Sequence, residues 1–85
     1  MVRPLVEVVS AEYVREYQLR LRFSDGETKI VDFARWLHGD VFKPLLNRRQ
    51  FKRFFVAGGT VCWPNGADVA PETLRAAEDA TSDAA

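Results

Sequence analysis

The sequence predicts an α+β domain in which a small antiparallel sheet of about four strands carries short helices packed on one face. Apolar and polar side chains alternate over residues 17–23, which is the period-two pattern of a strand with one buried face. Ser24-Asp25-Gly26 is predicted to be a turn, and Thr28–Phe33 the returning strand. Because no regular strand–helix–strand alternation follows, an antiparallel sheet with helices on one side is favoured.

Side-chain parity predicts the register of this hairpin. A two-residue loop would pair Leu19 with Asp32 and set an apolar side chain against a carboxylate. A three-residue loop, with Gly26 in the left-handed conformation, pairs Leu19 with Val31 instead. We predict the three-residue loop, a type I turn followed by a glycine bulge, because it keeps the buried face apolar.

Segments on either side of the hairpin are less regular. Leu5–Val9 is predicted to be the first strand, whereas Ser10–Glu16 is ambiguous. Phe33–Leu37 is predicted to leave the sheet as a short helical turn that ends near Gly39. The apolar segment Val41–Leu46 has room for another turn of helix.

A helix over Arg48–Phe54 is predicted because Asn47 is a favourable N-cap residue. Helical spacing of three and four residues marks its buried face. The aromatic residues expected on that face are Phe51, Phe54 and Phe55.

The C-terminal third is predicted to hold one more strand and one more helix. Gly58-Gly59 is a tight turn before a strand over Thr60–Trp63. Pro64 has no N–H to donate to a sheet, so the strand should end there. Pro71 fits the first position of a weak helix that runs from Glu72 to about Ala80.

Length and composition predict a single domain with a small core. The chain has 85 residues, 47% of them hydrophobic, which is too few for two cores. We expect the domain to cover residues 1–77. Residues 78–85 form an acidic tail that we expect to be disordered, because it has no large apolar side chain to bury. A core this small gains stability from a partner, either another small protein or a second copy.

Charge and cysteine content predict a cytoplasmic protein. The net charge is zero and the pI is about 6.6, so no global attraction to nucleic acid or to an anionic membrane is expected. One cysteine, Cys62, gives no internal disulfide and favours a reducing compartment. The N-terminus lacks a signal peptide's apolar stretch, and no apolar run approaches the ~20 residues that span a bilayer.

No residue pattern predicts catalysis, a metal site or a cofactor. His38 is the one histidine, and no set of metal ligands or nucleophile with an orienting acid is spaced around it. We predict a loop histidine before Gly39. Cys62 is predicted to be a small, partly buried hydrophobe, because no cation adjacent in sequence would lower its pKa. We therefore expect that the protein is not an enzyme.

A basic segment, Lys43–Arg53, holds five basic residues and no acidic one. Two pairs of like charges lie four apart on the predicted helix, Arg48 with Lys52 and Arg49 with Arg53. Repulsion at that spacing favours a site for nucleic acid or another anion. The other interpretation is a solvated face opposite the buried phenylalanines.

The segment Trp63-Pro64-Asn65-Gly66-Ala67-Asp68 is the most distinctive part of the chain and admits two interpretations. In the structural one, Trp63 anchors the core and Asn65-Gly66 turns the chain toward the last helix. In the functional one, the Trp63 ring edge, the Asn65 amide and the Asp68 carboxylate form a recognition surface for a partner.

The chain resembles the bacterial family called domain of unknown function 2442 over residues 17–74. The motifs that carry the resemblance are Leu19-x-Leu21-x-Phe23-x-Asp25-Gly26-Glu27, Val41-Phe42-x-Pro44-Leu45, Phe51, Gly59-Thr60-Val61-x-Trp63-Pro64-Asn65-Gly66-Ala67-Asp68 and Ala70-Pro71-Glu72-Thr73-Leu74. The sequence departs from the pattern at Asn47-Arg48, where members often have Asp-Pro.

This resemblance implies a small α+β fold similar to the N-terminal domain of a two-domain protein that ends in a helix-turn-helix. It also implies a gene neighbour that encodes another small protein, as in toxin–antitoxin or regulatory pairs, and it brings no catalytic residues. We therefore predict a non-enzymatic module that binds another protein as an antitoxin-like or regulatory partner. The alternative is nucleic-acid binding through Arg48, Arg49, Lys52 and Arg53.

Overall fold

The computed structural model describes residues 6–77 and 79–80 of the chain. Within them, five strands form two antiparallel sheets, which confirms the predicted α+β class. The first sheet has the order β1-β2-β3, and the second pairs β4 with β5. Their bounds are Val8–Arg15 (β1), Gln18–Phe23 (β2), Thr28–Asp32 (β3), Phe55–Ala57 (β4) and Thr60–Cys62 (β5).

The helical elements of the described chain are all short. Their bounds are Gly39–Phe42 (α1), Arg48–Phe51 (α2) and Pro71–Ala76 (α3), with two 3-10 turns at Ala34–Trp36 and Lys43–Leu46. The 3-10 turn at Ala34–Trp36 confirms the helical turn predicted over Phe33–Leu37, but Gly39, predicted to lie near its end, begins α1. None of the described helices is long and apolar enough to cross a membrane.

β1 runs through the segment whose sequence was ambiguous. It extends from Val8 to Arg15, so the bounds predicted for the first strand, Leu5–Val9, are wrong; Leu5 itself lies outside the described residues. The register between β1 and β2 shifts after Val8 and again after Tyr13. Each shift turns the following side chains to the opposite face, and this hides the period-two pattern.

The central hairpin has the predicted register. Leu19 pairs with Val31 across β2 and β3. Phe23 N donates to Glu27 O at 2.8 Å, and Gly26 N donates to Phe23 O at 3.0 Å. With Gly26 at φ 91°, the loop is the type I turn and glycine bulge that side-chain parity predicts.

The core lies on one face of the first sheet. The residues that this sheet contributes to it are Val8, Leu19, Leu21, Phe23 and Val31. Facing them are buried residues of the loops, helical elements and second sheet: Phe33, Leu37, Leu45, Phe51, Val61, Trp63, Ala67, Val69 and Leu74. One backbone bond, from Val8 N to Gly59 O at 2.8 Å, links the two sheets directly.

The helix after Asn47 is shorter than predicted. Asn47 Oδ1 accepts from Arg49 N at 2.9 Å, as expected of an N-cap, but the helix ends at Phe51. Phe51 is fully buried, whereas Phe55 is 45% exposed and belongs to β4, so the predicted aromatic helix face is wrong. Gly58-Gly59, both at positive φ, closes a two-residue hairpin turn that draws Phe55 into a strand.

The segment after Trp63 repeats the geometry of the Gly26 turn. Trp63 N donates to Ala67 O at 2.9 Å, Gly66 N donates to Trp63 O at 3.0 Å, and Gly66 has φ 92°. Asn65 Oδ1 accepts from Ala67 N at 3.1 Å, just as Asp25 Oδ1 accepts from Glu27 N. Asn65-Gly66 therefore makes another hairpin with the geometry of the Gly26 turn, in which Asp68 pairs back onto Cys62. It does not lead straight into the last helix as predicted.

α3 begins at Pro71 as predicted and ends at Ala76, earlier than predicted. The buried Lys29 ammonium donates to Arg75 O and Ala77 O, both at 2.6 Å. These two bonds satisfy the end of the helix and compensate the burial of the charge. Asp25 then forms an ion pair with Arg75, at 3.0 Å.

Residues 78 and 81–85 of the predicted tail lie outside the described residues. Asp79 is described, and its Oδ1 accepts from Ile30 N on the edge of β3 at 3.1 Å. This contact sets Asp79 against the edge of the first sheet.

Because the turns at Gly26 and Gly66 share one geometry, we expect replacement of either glycine to cost a similar amount of stability. A Cβ at Gly26 or Gly66 would meet nothing within 4 Å, so Gly26→Ala and Gly66→Ala introduce only backbone strain. We expect each to lower the free energy of unfolding by roughly 1–2 kcal/mol in urea denaturation. Gly26→Asn is the control and should lose less, because Asn tolerates positive φ. A loss below about 0.5 kcal/mol at either glycine would contradict the shared geometry.

Candidate functional site

The structure separates the three residues of the predicted recognition surface. Trp63 is 2% exposed, and its indole Nε1 donates to Phe51 O at 2.8 Å, so the prediction that its ring edge meets a partner is wrong. Asn65 is exposed, but both ends of its amide are engaged, because Nδ2 also donates to Val41 O at 2.9 Å. Asp68 is exposed and forms no hydrogen bond or ion pair with its side chain among the described residues.

Burial of Trp63 follows from its aromatic neighbours. Its ring centroid lies 5.7 Å from those of Phe33 and Phe51, and those two lie 5.9 Å apart. The indole nitrogen needs a partner when it is buried, and the carbonyl at the end of α2 supplies one. Trp63 is therefore the anchor that the structural interpretation predicts.

Asp68 lies at a groove between the first helical turns and the start of α3. The groove has a volume of about 310 Å³. Its lining residues are Trp36, His38, Phe42, Asp68, Val69, Ala70 and Thr73. We call it the Asp68 groove. Apolar side chains form most of its lining, whereas His38 and Asp68 are exposed polar residues.

Local hydrogen bonds and ring contacts hold the first wall of the Asp68 groove. Asp32 Oδ1 accepts from Ala34 N at 2.9 Å and starts the 3-10 turn that carries Trp36. The Trp36 ring packs edge-on against the buried Phe33 at 5.4 Å, and the Arg35 guanidinium lies 5.7 Å from its centroid. Trp36 is therefore held half-buried, with part of its surface open to the groove.

The second wall depends on the hairpin at Asn65-Gly66. This turn reverses the chain, so that Asp68 pairs with Cys62 and residues 68–70 run back toward α1. The bond from Asn65 Nδ2 to Val41 O ties the turn to α1. No local pattern around His38 predicts that it shares a groove with Asp68. The signal that could have found this is the likeness of Trp63-Pro64-Asn65-Gly66-Ala67 to Phe23-Ser24-Asp25-Gly26-Glu27, which marks both as hairpins.

Cys62 pairs with Asp68 through an antiparallel bridge but does not line the Asp68 groove. Burial is the main cause that raises its pKa above the ordinary thiol value, and the negative charge of Asp68 adds to the effect. The thiol also contacts Ala57 O at 3.6 Å, which acts in the opposite direction. Cys62 is therefore protonated at neutral pH, the state of an unreactive thiol. Among the described residues, no group of three His, Cys, Asp or Glu is placed to hold a metal ion.

In the basic segment, some cationic side chains contact other residues of the fold and others are exposed. Arg48 forms an ion pair with Glu16, and the Lys52 ammonium lies 4.8 Å from the Tyr13 ring centroid. Arg49 and Arg53 are exposed and form no side-chain bond with the part of the chain that is described. α2 ends at Phe51, but Lys52 N still donates to Arg48 O at 2.9 Å, so Arg48 and Lys52 lie one helical turn apart as predicted. Arg53 N donates to Gln50 O instead, so the predicted pairing of Arg49 with Arg53 along the same helix is wrong.

A family model described as "Protein of unknown function (DUF2442)" matches residues 8–80. This range covers both sheets, every wall of the Asp68 groove and α3. No curated protein and no solved structure matches the chain.

Proposed function

The chain belongs to the DUF2442 family of proteins of unknown function, and within it we propose that this protein is a non-enzymatic module that binds a protein partner at the Asp68 groove. The observation that carries the proposal is the exposed Asp68 carboxylate, which forms no hydrogen bond or ion pair among the described residues, beside an apolar groove of about 310 Å³. Apolar pockets rimmed by a few polar groups are typical binding sites.

The lining of the Asp68 groove favours one kind of partner segment. Trp36 and Phe42 are half-buried aromatic residues that already pack against the core, so they are available without a loss of side-chain order. An apolar side chain fits against them, and a lysine or arginine next to it in the partner would reach Asp68. Such a segment would combine an apolar anchor with a charge that sets its register.

The biological role we propose is that of an antitoxin-like or regulatory partner of another small protein in the bacterial cytoplasm. A single cysteine in 85 residues supports a reducing compartment. The small core supports association, because a chain of this size gains stability by burying surface against a partner.

Charge reversal in the Asp68 groove tests the proposal. Native lysate is passed over the immobilised protein, and recovered partners are compared between the wild type, Asp68→Arg and Glu27→Arg. Glu27 is an exposed carboxylate outside the groove lining and serves as a control with the same change of charge. We expect one partner to bind the wild type and Glu27→Arg equally, and to bind Asp68→Arg about tenfold more weakly.

Circular dichroism should show that both variants are folded. Equal recovery of every partner by wild type and Asp68→Arg would remove the Asp68 groove as the binding site, and so would failure of the wild type to retain any protein.

The second candidate function is nucleic-acid binding through the basic segment. Its supporting observation is that Arg49 and Arg53 are exposed without a side-chain partner among the described residues. Arg48 and Lys52 contribute less, because Glu16 and Tyr13 already engage them.

The Arg49→Glu/Arg53→Glu double variant tests this alternative. If the two arginines contact phosphates, the wild type should bind a DNA or RNA fragment with an affinity that falls as salt rises. The double variant should lose that binding while remaining folded. The matched control is Arg15→Glu/Arg22→Glu, which reverses two exposed arginines of the first sheet outside the basic segment. Absence of wild-type binding at low salt would exclude this function.

A further inference from the structure

β4 is an edge strand whose outer side is unpaired among the described residues. It pairs only with β5, and all three of its residues are exposed. Phe55 is 45% exposed and Val56 is 36% exposed, so the strand carries two of the large apolar side chains that this fold leaves open to solvent. Proteins usually pair, cover or charge such an edge.

The hairpin geometry identifies the unpaired backbone groups. Ala57 and Thr60 flank the two-residue turn, so they form a hydrogen-bonded pair, and Phe55 and Cys62 form the next one. Val56 lies between them, and its N–H and C=O therefore point away from β5. Outside the β4–β5 ladder, no described residue forms a backbone hydrogen bond with Val56.

We propose that β4 pairs antiparallel with β4 of a second copy of this chain, with Val56 on the two-fold axis. In this register, the Val56 N–H and C=O of each copy bond those of the other. Phe55 of one copy then lies beside Ala57 of the second copy on one face of the joined sheet, and both become covered. The result is a continuous antiparallel sheet across the dimer.

Charge complementarity selects this occupant and this register. A two-fold axis at Val56 places residue 53 of one copy opposite residue 59 of the other. A Cβ at Gly59 would lie 2.8 Å from Glu7 Oε2, so the Glu7 carboxylate lies directly over Gly59. Arg53, which has no side-chain partner among the described residues, then faces Glu7 of the second copy, and the symmetry repeats this ion pair.

This surface is separate from the Asp68 groove. Asp68 pairs on one side of Cys62, whereas Phe55 pairs on the other side, so β4 is the opposite edge of the same small sheet. A dimer through β4 therefore leaves both grooves open. The dimer would present two Asp68 grooves, and this raises the apparent affinity for a partner that has two binding segments.

Charge exchange between Arg53 and Glu7 tests the proposal on the full chain by sedimentation equilibrium. We expect a monomer–dimer equilibrium for the wild type, with Arg53→Glu and Glu7→Arg each weakening the dimer by about tenfold, because repulsion replaces two ion pairs. The combined Arg53→Glu/Glu7→Arg variant should recover most of the wild-type Kd. Arg49→Glu is the matched control, since it reverses an exposed arginine two residues from α2's end and should leave the Kd unchanged.

Val56→Pro gives an independent readout, because proline removes the N–H that the two-fold pairing needs and an edge strand tolerates it. We expect it to abolish the dimer while circular dichroism stays that of the folded chain. If Val56→Pro unfolds the protein, the charge-exchange series decides the outcome alone. A wild type that stays monomeric into the millimolar range would overturn the proposal. A dimer that keeps its Kd in both single charge variants would overturn it as well.

Discussion

The hydrogen bond from the Trp63 indole to Phe51 O, 2.8 Å long and closed off from solvent, is the contact on which the rest of this fold depends. It ties the second sheet to α2, and the Trp63 ring packs against Phe33 at the end of the first sheet. Edge-on ring contacts of Phe51 with Tyr13, Tyr17 and Phe33 strengthen the same junction, and a backbone bond from Val8 N to Gly59 O joins the first sheet to the hairpin of the second. A core of this size needs such a contact, since a short chain buries a modest share of its surface.

The position of Trp63 also determines the path of the backbone over the residues that follow it. Because the ring is buried, the residues that follow must reverse direction at the surface, and Asn65-Gly66 provides the turn. Asn65 then bonds Val41 O, and Asp68 emerges beside Trp36 and Phe42. The groove that we propose as the binding site is thus a consequence of how the core is anchored. Trp63 does not line the groove, but its burial fixes the place from which the turn starts.

The elements that were predicted correctly are those that interactions between neighbouring residues determine. The Gly26 hairpin, the Asn47 cap and the start of α3 at Pro71 all follow from turn and cap chemistry that a few adjacent residues specify. β1 was missed because two register shifts break its alternation, and Phe55 of β4 was assigned to the helix face because its spacing of four residues from Phe51 also fits a helix. The Asp68 groove itself was not predicted. Asp68 could be named from its turn, but Trp36, His38 and Phe42 reach it through tertiary contacts that no sequence pattern records.

Hydrogen exchange of the two indole protons measures the central contact most directly. The chain has two tryptophans, so an NMR spectrum shows two indole N–H signals, which Trp36→Phe assigns. Trp63 Nε1–H is buried and bonded, and it should exchange only when the whole domain unfolds, whereas the half-buried Trp36 indole, which has no acceptor among the described residues, should exchange far faster. Equal and rapid exchange of both indole protons would contradict the role that we assign to the Trp63–Phe51 bond.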